Sequence, residues 1–153
     1  MTHSSHEIGR RRFLASGGAV ALAGLAARAD AAEPTAQERA NVQVVNDFCA
    51  AWSRKDFDKI MSLFADAGAY RMTETAEPLK GREAVSGRIR PLIDRVERFD
   101  VLDTFARGPM VVNERIDRFA SGTLKAWHGV GVFFLKDGKI VEWYDYTIST
   151  ERA

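Results

Sequence analysis

A single cysteine, Cys49, stands in a chain of 153 residues, so an intramolecular disulfide and a CxxC metal or redox motif are both excluded. The lone thiol reads as a small apolar residue buried on a helix. An excess of one charge is missing as well: 22 Lys and Arg face 21 Asp and Glu. The basic surplus is gathered in Arg10, Arg11, Arg12 and Arg28, and with residues 1–31 set aside 18 basic residues face 19 acidic ones. A chain so balanced lacks the field to hold nucleic acid or anionic lipid by bulk charge, and no basic stripe interleaved with aromatics appears. There is no HExxH, no GxSxG and no glycine-rich phosphate loop. Repeats, low-complexity tracts and internal linkers are absent, and the length leaves room for one domain with its own core.

What is present begins with a segment that reads as an address. Arg10-Arg11-Arg12-Phe13-Leu14 precedes an apolar run from Ala15 to Ala27, which ends in Ala29-Asp30-Ala31. A charged start, a short apolar stretch and an A-x-A site make an export signal over residues 1–31, and the arginines ahead of Phe-Leu resemble the twin-arginine class. The run is too short and too rich in Gly and Ala for a membrane span, so no span is expected once the signal is removed. Twin-arginine export carries folded proteins, which implies work in the periplasm or outside. His3 and His6 belong to this segment. The globular domain is expected over residues 32–153.

Thr35-Ala36-Gln37-Glu38 is a capping-box pattern, and Val42, Val45, Phe48, Cys49 and Trp52 behind it recur at helical spacing to about Ser53. A second helix with Phe57, Ile60, Met61 and Phe64 inward is broken by Asp66-Ala67-Gly68, and Ala69–Met72 reads as a short strand. Pro78 and Gly81 bracket a loop. A third helix runs from Glu83 to about Val96, bent or broken at Pro91. The texture then turns extended: residues 99–105, 110–119, 124–135 and 140–148 read as strands, with tight turns at Ser121-Gly122 and, more strongly, at Asp137-Gly138. Helices followed by an antiparallel meander indicate an α+β layered domain.

Polar residues inside these strands are the candidates for chemistry. Arg115 and Asp117, two apart, emerge on one face. Alternation leaves that face open, since Val111, Asn113 and Phe119 share it while Met110, Val112, Glu114, Ile116 and Arg118 share the other. A solvated surface pair and a buried functional pair both fit. Asp145 shares a face with Val141 and Trp143, so a carboxylate is placed where its neighbours predict burial, which calls for a cationic partner or a raised pKa. If the two strands come together, Arg115 can bridge Asp117 and Asp145, one acting as acid and the other as base.

These segments resemble the limonene-1,2-epoxide hydrolases, a family with the cone-shaped nuclear transport factor 2-like (SnoaL-like) fold. The likeness rests on Arg115-Ile116-Asp117, on Gly131-Val132-Phe133 with Asp137-Gly138-Lys139-Ile140, and on Trp143-Tyr144-Asp145-Tyr146. Phe64-Ala65-Asp66 leading to Tyr70, and Gly81-Arg82-Glu83-Ala84-Val85, also align. The resemblance implies three N-terminal helices packed on a curved mixed, mainly antiparallel sheet. It implies that Asp145 deprotonates a water, Asp117 protonates the departing epoxide oxygen, Arg115 bridges the two and Tyr70 helps hold the water. Neither metal nor organic cofactor is implied, the substrate is a small apolar epoxide, and a homodimer is expected. In one departure, the asparagine that also grips the water in that family is replaced by Met72, whose thioether is a poor hydrogen-bond partner.

Met72, Phe119, Trp127 and Trp143 are expected to line the pocket, with core packing the other account of the first three. His128 reads as structural or exposed, and Glu74 and Glu77 as members of a loop near the pocket mouth. The leading reading is a cofactor-free epoxide hydrolase. Beside it stand an isomerase or cyclase of the ketosteroid isomerase and SnoaL type, and a non-catalytic ligand-binding module of the same fold.

Overall fold

The computed structural model describes residues 33–153, and the export signal expected over residues 1–31 lies outside them. Helix α1 (Ala36–Ser53) starts at the capping box: the Glu38 amide donates to Thr35 Oγ1 at 3.1 Å while the Thr35 amide donates to Glu38 Oε2 at 2.7 Å. Its buried stripe carries Val45, Phe48, Cys49 and Trp52. Helix α2 (Phe57–Leu63) follows, capped by Asp56, then strand β1 (Phe64–Arg71), the two-residue strand β2 (Leu79–Lys80) and helix α3 (Arg82–Ile93). Strands β3 (Val96–Arg107), β4 (Met110–Phe119), β5 (Leu124–Lys136) and β6 (Lys139–Arg152) complete the order.

The strands form one curved sheet in the order β2-β1-β6-β5-β4-β3, antiparallel throughout except for the parallel β1–β6 pair, and the three helices pack on it. This is the α+β cone expected from the sequence. No helix among the described residues is long and apolar enough to cross a membrane.

Three local expectations need correction. Phe64 does not extend the inner face of α2 but opens β1, and Asp66-Ala67-Gly68 does not break that helix, which already ends at Leu63. Those residues form an irregularity inside β1, where the register against β6 shifts between Phe64 and Ala69. A bulge of this kind re-aims the strand without ending it. Pro91 does not break α3: it lies in the last turn, close to where the helix ends at Ile93, and Val96 begins β3. The Ser121-Gly122 connection is wider than a two-residue turn, since pairing ends at Arg118–Ala126. Asp137-Gly138 is a tight turn, with both residues at positive φ (51° and 71°).

Phe48 stands at the centre of the core. Its ring meets Trp143 at 4.9 Å, Phe133 at 5.5 Å, Phe64 at 5.8 Å and Trp52 at 6.2 Å, all edge-on. Helix and sheet are thus joined by one aromatic cluster, which also fixes Trp143, the neighbour of Asp145 on the inner face. Phe48→Ala is expected to lower unfolding stability by about 3–5 kcal/mol, measured by urea denaturation.

Candidate active site

On β4 the buried positions are Val111, Asn113, Arg115 and Asp117, which resolves the face that alternation left open. The outward set is half-buried and partly apolar, which is why periodicity alone could not choose. On β6 Trp143 and Asp145 point to the same interior. Strand β5 lies between, and it carries Gly129 opposite Arg115 and Gly131 opposite both Asn113 and Asp145.

The arginine crosses the space that Gly131 leaves. Arg115 Nε donates to Asp117 Oδ1 at 2.9 Å, and Nη2 donates to Asp145 Oδ1 at 3.0 Å and to Asp117 Oδ2 at 3.4 Å. A methyl group on Gly131 would sit 2.5 Å from Arg115 Nη1 and 2.7 Å from Phe133 Cε2. Gly131 is therefore a sequence signal for the buried cation, since a bare inward position lets the guanidinium reach across the strand, whereas the space at Gly129 is filled by the Trp127 ring, 2.2 Å from where a Cβ would sit. Arg115 is fully buried, with the rings of Phe99, Trp127 and Trp143 at 4.9, 5.0 and 5.6 Å from its guanidinium carbon.

Burial raises both acids. Asp117 is pushed up to about 7 by loss of solvent, which outweighs the lowering effect of Arg115, with the charge of Asp145 adding to the rise. Asp145 is raised for the same first reason, against the pull of Arg115 and of the indole N–H of Trp143, which donates to its Oδ1 at 2.8 Å. Burial opposes the charge on Arg115, yet the two aspartates hold it charged and raise its pKa. Asp145 concentrates both of these donors on one oxygen and leaves Oδ2 free of protein donors among the described residues.

Asp117 and Asp145 open onto a cavity of about 230 Å³, small beside the common ligand pocket of roughly 300–1,000 Å³. The expected residues Tyr70, Met72, Phe119, Trp127 and Trp143 all line it, whereas Arg115 lies beneath the lining. Tyr70 is stacked on Trp143, centroids 3.9 Å apart, and burial holds its phenol well above the usual range, so it remains a neutral donor. Trp127 donates through Nε1 to Thr147 Oγ1 at 3.1 Å. Sequence reasoning missed Trp52, Phe99, Arg88 and Arg95 among the lining residues.

The remaining candidates lie elsewhere. His128 Nε2 is 2.8 Å from Glu114 Oε1, half-buried and pointing with Glu114 away from the inner face. Glu74 accepts the Thr147 backbone N–H. Cys49 is buried, its thiol pushed up to about 12 by loss of solvent, so it is no nucleophile. Among the described residues no group of three His, Cys, Asp or Glu is placed to hold a metal ion.

The SnoaL-like domain profile matches residues 45–143. The chain belongs to the SnoaL-like domain family. An LEH-like epoxide hydrolase from M. tuberculosis superposes with a TM-score of 0.65 at 25% identity, covering 72% of this chain and 84% of its own. A proposed ketosteroid isomerase from Kribbella flavida has a TM-score of 0.65 at 14% identity, covering 76% and 84%. A proposed polyketide cyclase from Xanthomonas campestris pv. campestris has a TM-score of 0.61 at 20% identity, covering 71% and 90%. These last two share the fold alone. No curated protein matches the chain. Epoxide hydrolases, isomerases and cyclases thus share this architecture, and the inner face has to decide among them.

Two measurements test the geometry. Gly131→Ala is expected to lower stability by about 1–3 kcal/mol through overpacking against a cation pinned by two carboxylates, read by urea unfolding. The second concerns pH. Asp117 binds its proton more tightly folded than unfolded, so the folded chain holds more protons between its unfolded value near 3.8 and about 7. Stability therefore falls as pH rises through that window, with a limiting slope of about 1.4 kcal/mol per pH unit for one proton. Thermal melts from pH 4 to 8 should show the fall, and Asp117→Asn should flatten it.

Proposed function

We propose that this SnoaL-like domain is a cofactor-independent hydrolase that opens a small epoxide to a diol, using Asp145 as base and Asp117 as acid. The carrying observation is the single guanidinium that joins both carboxyls on the floor of one cavity. Asp145 keeps an oxygen free to take a proton from water, while its other oxygen is held by Arg115 and Trp143. Asp117, pushed up to about 7, retains a proton to give near neutral pH.

In the step itself the water oxygen bonds to one epoxide carbon, and its proton passes to Asp145. The carbon–oxygen bond breaks as Asp117 protonates the leaving oxygen. The product is a diol, with Asp145 now protonated and Asp117 ionised. Return of the proton from Asp145 to Asp117 restores the starting state. Arg115 stays charged throughout and stabilises whichever acid is ionised. Tyr70 is the residue we assign to hold the water.

One observation favours a second reading. Met72 lines the cavity with a thioether where the resembling hydrolases have an asparagine, so the water has one fewer polar grip. The same acid and base could instead move a proton beside a carbonyl, as in an isomerase or cyclase. Export by a twin-arginine-type signal over residues 1–31, with work in the periplasm or outside, and assembly as a homodimer belong to this proposal.

Turnover of terpene and aryl epoxides in ¹⁸O-labelled water decides between the readings: hydrolysis gives diols carrying one label, isomerisation gives unlabelled products. Asp145→Asn is expected to reduce kcat by about 10³-fold or more while its thermal melt stays cooperative. A variant that keeps its activity removes the mechanism. For the wild type, kcat/KM should fall as pH rises through about 7, where Asp117 loses the proton it must donate.

A further inference from the structure

The cavity has a second polar end that the reaction does not use. Arg88, on α3, and Arg95, just after it, line the same cavity as Asp117 and Asp145, but nearer solvent: Arg88 is half-buried and Arg95 exposed, whereas both aspartates are buried. Neither arginine is paired with a carboxylate among the described residues. Three nearby acids in the sequence or loop are engaged by other groups: Glu97 and Asp100 bind Arg98, Asp100 also binds Arg118, and Glu74 accepts a backbone N–H, while Asp94, next to Arg95, forms no ion pair with it. The partner of Arg88 is a thioether, with Nη2 2.7 Å from Met72 Sδ, and thioether sulfur is a weak acceptor. The Arg95 guanidinium rests against the β4–β5 connection, where a side chain on Gly122 would meet its Nη2 at 2.9 Å.

The charge count around the cavity is one-sided. Three guanidiniums, those of Arg88, Arg95 and Arg115, face two carboxyls, and one of those keeps its proton to about pH 7. Arg115 is neutralised by its aspartates through Nε and Nη2, although its buried Nη1 has no partner, so the surplus of charge is with Arg88 and Arg95. Trp52 also lines the cavity, deeper in: it is buried, packs on Phe99, and its indole N–H has no partner. Between mouth and floor the wall is apolar, built by Leu92, Phe99, Phe119 and Trp127. Two like charges at a partly desolvated rim, with no carboxylate to meet their N–H groups, are complementary to an anion.

We infer that the cavity takes a substrate with an apolar body and a terminal anionic group, a carboxylate in the simplest case, which Arg88 and Arg95 hold at the mouth while the reacting group lies on the aspartate floor. This deepens the hydrolase reading and rests on it for the reacting group alone. It also replaces the purely apolar substrate that the sequence suggests. The two arginines are specificity residues, distant from the bond that breaks. Planar guanidiniums suit a carboxylate through paired N–H donors, which a neutral amide of the same shape cannot match.

Binding of 4-phenylbutyrate and of its primary amide to the full chain, measured by calorimetry at low salt, tests the charge assignment without turnover. The acid is expected to bind at least about tenfold more tightly than the amide, and the advantage should shrink as salt is added. In Arg88→Gln/Arg95→Gln the advantage should drop below about threefold. The Arg88→Lys/Arg95→Lys variant, which keeps the charge, should retain part of it and guards against a folding defect in the first. Equal affinities in the wild type, an advantage that survives the double Gln variant, or no saturation by the acid up to about 10 mM would each overturn the inference.

Turnover separates this from the hydrolase reading. The paired substrates are 4-(oxiran-2-yl)benzoate and 4-(oxiran-2-yl)benzamide, with kcat/KM for the acid expected to exceed that for the amide by about tenfold or more. Both should be lost together in Asp145→Asn. If both epoxides turn over equally, the anionic substrate is wrong and the hydrolase stands. If neither turns over while the butyrate preference holds, the hydrolase is wrong and the anion site stands.

Discussion

A guanidinium with no access to solvent is the constraint on which this structure depends. Moving such a charge out of water costs several kcal/mol even after relaxation, and Arg115 is tolerable on the inner face because two carboxylates, supplied by different strands, meet it there. Asp117 is local, two residues along the same strand. Asp145 is thirty residues away and arrives only if β4, β5 and β6 pair in one register. A slip of one residue on any of them would turn an acid outward and leave the cation unpaired. The ion triad therefore penalises every alternative register, a stronger argument for its place in the fold than any net stabilisation it provides.

The surroundings follow from that cation. Gly131 leaves the strand between the acids bare where the guanidinium crosses, Gly129 makes room for the Trp127 ring, and three aromatic rings close around the guanidinium where water would otherwise enter. Excluding water strengthens the attraction within the triad and at the same time raises the pKa of both aspartates, because the low dielectric disfavours ionised carboxylates more than one arginine can offset. Trp143 connects this to the core: it packs on Phe48 and Tyr70 with its ring and donates to Asp145 with its nitrogen. Core packing and the orientation of an acid are thus one event, since the ring cannot shift without carrying the hydrogen bond with it.

Much of this could be read from the residues. The capping box, the Phe48–Trp52 stripe and the Asp-Gly turn are local signals with local causes, and they stand where expected. Asp145 beside Trp143 gave burial away, because apolar neighbours at period two fix a face. Arg115 and Asp117 could not be placed by the same rule, since Met110, Val112 and Ile116 make the outer face of β4 partly apolar too. The bulge at Asp66-Ala67-Gly68 looked like the break between helix and strand because turn residues inside a strand and turn residues preceding one have the same composition, and only the pairing with β6 separates them. Arg88 and Arg95 were illegible for a different reason. Charged residues on an amphipathic helix read as solvent-facing, and whether a given turn overlooks a cavity depends on how the helix crosses the sheet, which no periodicity records.

The two ends of the cavity also divide what the fold fixes from what it leaves adjustable. The floor is built on paired strands whose buried acids meet on one guanidinium, so the proposed acid and base are placed to within the precision of the sheet. The mouth is built from helix α3, from its exit and from the loop after β1, where charged side chains extend from elements that can vary without disturbing a single strand pairing. An acid–base pair of this kind can open an epoxide or shift a proton beside a carbonyl with little alteration, and the choice between them lies in which substrate atom is delivered to Asp145 Oδ2 and at what distance. Under the proposed function, delivery is set at the mouth. In the proposed enzyme, selection for a particular reaction would therefore act first on Met72, Arg88 and Arg95, and only later on the triad beneath them.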